Sequence, residues 1–384
     1  MSRFERWEPY FGAAAAVAMG IYAPACRPGW SPDSTRVVFP YSDAASKTTG
    51  LAIHDLKTGK TRRLLEAVKD KDPSFCPLVI WTPDGKEILG TTETTEKTTA
   101  VFAIDAESGK YRIVKSLGSK SEFTMVTACL IPPVHSEGKH LWLTADSIGT
   151  KSSKSQLLRL DLETGKLDRD GFPDVLLQQI GKAVFYISGE RKPEPSAIKG
   201  VEIGRFDTKT GVAAKLAVIE TENFWNLAGS SDGDRLILMT EGTGPEPVNQ
   251  KTAKLIVLDG QAKVLKEIPL PMKDSSFVAM GPDPATAWFV MKDGREGTGG
   301  SNNYSLQECR INEGTVKTLF EFESASTEWN PPMPAVSPDG KFLALSCFYM
   351  AGDADSVLYL VDLTTTDRKV TKILVPAKVA VPEK

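Results

Sequence analysis

Histidine is nearly absent from this chain of 384 residues, which has three, His54, His135 and His140. Zinc centres and metal-dependent lyase or hydrolase sites draw heavily on imidazole, so three scattered histidines argue against a His-built catalytic or zinc site. Cysteine is scarce as well. Its five copies, at positions 26, 76, 129, 309 and 347, are far apart and form no Cys-x-x-Cys pair. That spacing fits neither a zinc ribbon nor a dense disulfide framework, and the thiols read as small buried apolar groups. A charge excess of one sign is also missing. With 46 basic and 49 acidic residues and a net charge of −3, the chain carries no electrostatic footprint for nucleic acid. The pairs Arg62-Arg63 and Arg191-Lys192 read as solvated strand-edge charge.

What the chain has instead is a phrase that returns. Ser31-Pro32-Asp33, Thr82-Pro83-Asp84-Gly85, His135-Ser136-Glu137-Gly138, Ile180-Gly181-Lys182, Ser231-Asp232-Gly233, Gly281-Pro282-Asp283 and Ser337-Pro338-Asp339-Gly340 each precede an apolar run. With Asp33, Asp84, Glu137, Ile180, Asp232, Asp283 and Asp339 as anchors, the intervals are 51, 53, 43, 52, 51 and 56 residues. A period of roughly fifty marks an array of like supersecondary units. A second phrase follows each first one: Asp55-Leu56-Lys57-Thr58-Gly59-Lys60 is the pattern, with near copies at Asp105, Asp161 and Asp207 and degenerate ones at Asp259, Asn312 and Asp362.

Both phrases have a turn chemistry. Ser-Pro-Asp-Gly suits a type I turn, and Asp-x-x-Thr-Gly suits a hairpin loop whose Gly takes a left-handed conformation. The runs between them, such as Val184-Phe185-Tyr186-Ile187 and Leu255-Ile256-Val257-Leu258, are short, β-branched or aromatic, and nearly continuous in apolar character. Strands buried on both faces look like this. The expected fold is all-β: a seven-bladed β-propeller with four antiparallel strands, A to D, per blade, closed by packing the first blade on the last. Cys26, Cys76 and Cys129 would then fall at similar A-strand places near the central channel, where a thiol cluster is the alternative to plain burial.

The phrases Trp30-Ser31-Pro32-Asp33, Trp81-Thr82-Pro83-Asp84-Gly85 and Val336-Ser337-Pro338-Asp339-Gly340, each followed later by Asp-x-x-Thr-Gly-Lys, resemble TolB-like (WD-repeat-like) propeller repeats. The resemblance spans about residues 26 to 375 and is specific for fold, not for activity. It implies a binding scaffold, often of the bacterial envelope. Such blades also accompany serine peptidases, but the repeats leave no room here for an α/β-hydrolase domain. The Trp-Asp dipeptide of true WD repeats and the double glycines of kelch repeats are absent.

The domain plan is residues 1–25 as an N-terminal apolar segment, 26–376 as the propeller and 377–384 as a tail. Phe11 to Ala25 is an Ala-rich stretch of 15 residues ending in Ala23-Pro24-Ala25. It is too short to span a bilayer as a helix, so no integral membrane span is expected. It fits a secretory signal or an extra segment packed on the ring. Export to the periplasm or envelope is favoured over the cytoplasm, and both readings stay open.

Candidate catalytic strings dissolve on inspection. Gly229-Ser230-Ser231-Asp232-Gly233 matches a Gly-x-Ser-x-Gly elbow, which requires a strand-to-helix turn; here it is an A–B turn. Asp353-Ala354-Asp355 lacks the spacing of a calcium cage, and Gly297-Thr298-Gly299-Gly300 precedes no helix and reads as a flexible loop. No catalytic residue, metal or cofactor is assigned. In this strand order the A–B and C–D turns share one face and the longer, dissimilar B–C and D–A connections share the other, where sites are built. Phe75, Phe123, Phe172, Phe224, Trp225, Phe277 and Trp329 are expected there, with inter-blade packing ahead of ligand contact, together with Arg191 and Arg295. The expected function is a monomeric, non-catalytic scaffold that binds a protein or peptide through this face. The alternative is a lyase- or lactonase-like enzyme, or a small-ligand or glycan binder, using carboxylates at the channel mouth.

Overall fold

The computed structural model describes residues 27–68, 75–93, 98–119, 123–125, 134–136, 140–147, 155–173, 175–181, 183–191, 198–221, 223–241, 253–270, 275–296, 302–324, 332–347 and 355–376. Among them every regular element is a strand, and no helix is long and apolar enough to cross a membrane. Blade one is β1 (Gly29–Trp30), β2 (Arg36–Asp43), β3 (Thr48–Asp55) and β4 (Lys60–Val68). Blade two is β5 (Phe75–Trp81), β6 (Glu87–Glu93), β7 (Thr98–Asp105) and β8 (Tyr111–Ser119). Blade three begins with two pieces, β9 (Phe123–Met125) and β10 (Val134–Ser136), and continues through β11 (His140–Ser147), β12 (Ser155–Asp161) and β13 (Leu167–Pro173). Blade four is β14 (Val175–Ile180), β15 (Ala183–Arg191), β16 (Ile198–Asp207) and β17 (Val212–Ile219). Blade five is β18 (Asn223–Gly229), β19 (Arg235–Glu241), β20 (Lys254–Asp259) and β21 (Val264–Pro269). Blade six is β22 (Ser275–Met280), β23 (Thr286–Glu296), β24 (Asn302–Arg310) and β25 (Thr315–Ser324). Blade seven is β26 (Met333–Val336), β27 (Phe342–Cys347), β28 (Val357–Asp362) and β29 (Val370–Leu374). Each blade is an antiparallel sheet in chain order, so the protein is a seven-bladed propeller. Blade three departs locally: both β9 and β10 pair with β11, at opposite ends of it.

The core is a set of slabs between blades. Seven apolar clusters straddle the seven blade boundaries. Leu236 and Leu238 face blade four while Ile237 and Met239 face blade six, which explains why β19 reads as a continuous apolar run. One blade alone would leave both slabs in water, and the ring removes that exposure. Among the described residues, blades seven and one close the ring without sharing a strand; Val37, Phe39 and Tyr41 pack on Ala344, Leu358 and Ile373.

The repeated turn phrase works as expected. In blade one the buried Ser31 hydroxyl donates to Asp33 Oδ1 at 2.6 Å and accepts from the Arg36 amide at 2.9 Å. Thr82, Ser230 and Ser337 do the same with Asp84, Asp232 and Asp339. The phrase in blade five is therefore Ser230 to Gly233, one residue earlier than the sequence pattern places it, and Ser231 takes the proline position. Turns of neighbouring blades also touch. A Cβ on Gly340 (φ +73°) would lie 2.8 Å from Pro282, and one on Gly181 (φ +58°) would lie 1.8 Å from the Ser231 carbonyl oxygen. Glycine is required there by both backbone angle and space.

The D strands carry a feature that the sequence reading did not find. Leu64, Val114, Leu216, Leu265 and Leu319 are each skipped in the pairing with the C strand, and each is the fifth residue after the glycine of the C–D turn. A one-residue bulge increases twist and disrupts an edge that could otherwise pair with another chain.

Candidate binding face

A strands begin, and B and D strands end, on the same side of the ring. That topology puts Phe75 (first in β5), Phe123 (first in β9), Phe224 and Trp225 (in β18) and Phe277 (in β22) at one face. Phe172 near the end of β13, Arg191 at the end of β15 and Arg295 near the end of β23 join them. The aromatics thus lie within strands rather than in the D–A connections. Trp329 lies outside the described residues, as do Cys26, Cys129, Asp353 and Gly297 to Gly300.

The inner strand is irregular just at this level. β5, β18 and β22 shift register between Cys76 and Val79, between Phe224 and Asn226, and between Ser276 and Val278. Trp225 and Phe277 are therefore bulge residues. Phe277 has φ +47°, a left-handed angle that is rare for an aromatic residue, and is 2% exposed against Met333 of blade seven. It shapes the face from beneath. Beside it, the Asn226 side chain donates to the Val278 carbonyl at 2.9 Å and accepts from the Val278 amide at 3.0 Å. Blade five thereby satisfies backbone groups of blade six next to the bulge. Trp30 and Trp81 play the same part elsewhere, donating indole N–H groups to the carbonyls of Ala335 and Gly29. Trp30 and Trp81 recur at one place in the repeated phrase, but nothing in the sequence names the partners of these clamps, each 52 or 305 residues away.

The opposite face is chemically occupied by the fold itself. Asp55 accepts from the Thr58 amide at 2.8 Å, and Asp105 and Asp161 accept likewise from the amides of Ser108 and Thr164. Hydrogen bonds from these amides hold the three carboxyls below the ordinary range. Cations reach from one blade to the turn of the next. Arg36 donates to the Gly85 carbonyl at 3.0 Å, pairs with Glu107 at 2.6 Å and stacks on Trp81. Lys266 donates to the Asn312 carbonyl at 2.9 Å, and the Arg368 and Arg310 guanidiniums bracket buried Glu308 at 3.1 Å each. Arg62-Arg63 lies in the edge strand β4 as expected, and Arg62 is exposed while donating to the Ala106 carbonyl. The solvated reading is corrected for Arg63, which is half-buried and binds Asp43, Glu66 and, on the candidate face, the Pro376 carbonyl.

The remaining candidates resolve into structural roles. His54 is buried beside the Thr61 hydroxyl at 2.9 Å, and burial lowers its pKa. His140 lies 3.6 Å from Asp161, and His135 is in β10. Ser231 sits in a strand-to-strand turn, so no nucleophile elbow is formed. Asp355 accepts from the Ala44 amide at 3.0 Å across the closing seam. Cys309 and Cys347 are buried free thiols raised by burial to about 11 and about 12. Among the described residues no group of three His, Cys, Asp or Glu could hold a metal ion.

No family model matches the chain, and no curated protein matches it. Solved structures do. An oligogalacturonate lyase in complex with manganese is 12% identical with a TM-score of 0.59, over 91% of this chain and 90% of that one. The propeller domain of the Trilobed protease from Pyrococcus furiosus, described as having an open velcro topology, is 13% identical with a TM-score of 0.55, over 90% and 95%. TolB from Acinetobacter baumannii is 18% identical with a TM-score of 0.47, and the match covers 76% of this chain and 64% of that one. At such low identity the likeness speaks to the scaffold alone. What the likeness to the lyase and to the protease domain establishes is the fold: this chain is a seven-bladed β-propeller.

Proposed function

We propose that the ring is a non-catalytic scaffold that holds a protein or peptide partner on its B–C/D–A face. The observation that carries this reading is the asymmetry of the two faces. On the A–B/C–D side, the repeated carboxylates bond their own turns and the cations latch neighbouring blades. In this reading, recognition groups that differ from blade to blade belong to the other side, supported by the A-strand bulges at Trp225 and Phe277 and by the strand ends that carry Arg191 and Arg295.

The test is capture of the partner from the native host by full-length protein. Trp225→Ala with Trp329→Ala should weaken capture by about tenfold or more, the loss typical of aromatic anchors. Thr58→Ala with Ser108→Ala, on the opposite face, should leave it intact. Circular dichroism must stay native in both. Equal loss from both faces would overturn the assignment. So would manganese-dependent cleavage of an oligogalacturonide by the wild-type chain.

A further inference from the structure

The outer edge of blade seven differs from the other six. Every other C–D pairing is interrupted by a register shift. The pairing of β28 with β29 runs without one through five consecutive residues, from Val370 to Leu374. Among the described residues β29 therefore offers an outer edge whose backbone N–H and C=O groups keep the regular strand repeat. Of its side chains Ile373 alone is buried, in the seam core, and Thr371 on the same face is exposed. Val370, Lys372 and Leu374 share the other face and are exposed, the two apolar ones by 36% and 56%. Lys372 forms no ion pair among the described residues.

We propose that this edge receives an extended peptide from a partner as a fifth strand of blade seven. Main-chain bonds would supply affinity in such an addition, and alternate side chains specificity. The charge pattern selects the occupant. A strand laid along β29 places alternate residues opposite Val370, Lys372 and Leu374, so the complementary peptide reads apolar, acidic, apolar at every second position. A second copy of this chain fits worse: antiparallel pairing of β29 about its own centre sets Lys372 against Lys372, and like charges directly opposite are destabilising. The chain's own stretch from Phe11 to Ala25 contains no charged residue and offers nothing to Lys372. This site is separate from the B–C/D–A face and does not depend on it.

The probe is a fluorescein-labelled peptide, acetyl-Thr-Val-Thr-Glu-Thr-Val-Thr-amide, titrated against the full-length protein by anisotropy. The expected result is saturable binding that Lys372→Glu weakens by about tenfold and that a peptide with Lys in place of Glu restores. Lys317→Glu, on the bulged D strand of blade six, should have no effect. Methylating the peptide's valine nitrogens should abolish binding, and hydrogen exchange at residues 370–374 should slow when peptide is bound. Four results would overturn the proposal: no saturable binding, indifference to the charge swap, binding that survives N-methylation, or concentration-dependent dimerisation that competes with the peptide. Tighter binding after removal of residues 1–26 would also overturn it, since the chain's own N-terminal segment would then be the occupant.

Discussion

The ring has two kinds of blade boundary. Blades five and six are joined by the chain, whereas blades seven and one meet only because the ring closes. Both bury an apolar slab of similar make: Ile237, Met239 and Phe289 at the first, Phe39, Tyr41 and Leu358 at the second. Both also carry a clamp between inner strands, Asn226 to Val278 and Trp30 to Ala335. The seam then adds polar contacts along its height. Ser42 and Ser356 share a buried hydroxyl contact at 2.8 Å, Ser356 also bonds the Ser42 amide at 2.8 Å, and Asp339 donates its amide to Ser34 at 3.0 Å. At the outer end Arg63 holds Asp43 of its own blade and the Pro376 carbonyl that follows β29. Where no peptide bond keeps two blades at high local concentration, directional bonds fix their register instead. Apolar area is interchangeable between registers; a buried hydroxyl that must meet its partner is not.

The largest effects test whether the two slabs are of equal strength. Phe39 and Phe289 are both fully buried, and truncating either to Ala should cost about 3–5 kcal/mol. Urea midpoints for Phe39→Ala and Phe289→Ala should fall by similar amounts. If the seam variant loses less than half as much, the slab at the seam is a loose contact and the comparison fails.

Smaller effects separate the polar contacts. Ser42→Ala or Ser356→Ala strands a buried hydrogen-bonding group and should cost about 1–3 kcal/mol each. The double variant should cost clearly less than the sum, because the hydroxyl contact is then lost only once, while the Ser42 amide loses its Ser356 acceptor in Ser356→Ala and in the double variant alike. Asn226→Ala should cost a similar amount by exposing the Val278 amide and carbonyl to an empty edge. Strict additivity of Ser42→Ala and Ser356→Ala would mean that the hydroxyls do not act as a pair.

Much of this architecture was legible in the sequence, for a local reason. Ser31 with Asp33, and Asp55 with Thr58, bond within a few residues, so the turn carries its own signature and the blade count follows. Blade three was legible only in outline: its A position is shared by β9 and β10, and the Phe123 piece lies well before the Glu137 anchor. The bulges of blades one, two, four, five and six have a usable local signal, an apolar residue at a fixed step after the C–D glycine; in blade three Asp170 stands at that step and is paired. In blade seven that frame is lost, since the loop from Asp362 to Lys369 is longer. The clamps and seam staples were illegible because nothing near Asn226 or Ser42 names a partner in another blade. For the candidate face, strand order placed Phe75, Trp225 and Arg191 on one side. The left-handed backbone of Phe277 and its burial against Met333 depend on packing that no local pattern encodes.

The smallest expected effect is a pH dependence that bears most on the seam's first blade. The Ser31 hydroxyl, with help from Thr35, lowers Asp33 to about 2, and hydrogen bonding from Arg63 and Ser46 lowers Asp43 to about 2. Both folded values lie below the ordinary 3.8, so the charged forms favour the folded ring. Their contribution is complete above the unfolded value and drains away as pH falls from about 4 toward about 2. Asp43 is the more informative of the two, because its side chain is 12% exposed and its partner Arg63 also holds Pro376 across the seam. Urea midpoints should hold steady from neutral pH to about 4 and then decline. Asp43→Asn should start lower and decline less steeply, since its side chain cannot titrate. Hydrogen exchange in β2 and β28 should quicken over that window before exchange in β19 and β23 does. If all four strands quicken together, closure is no weaker in acid than the chain-linked boundary, and the polar contacts at the seam are redundant with its apolar slab.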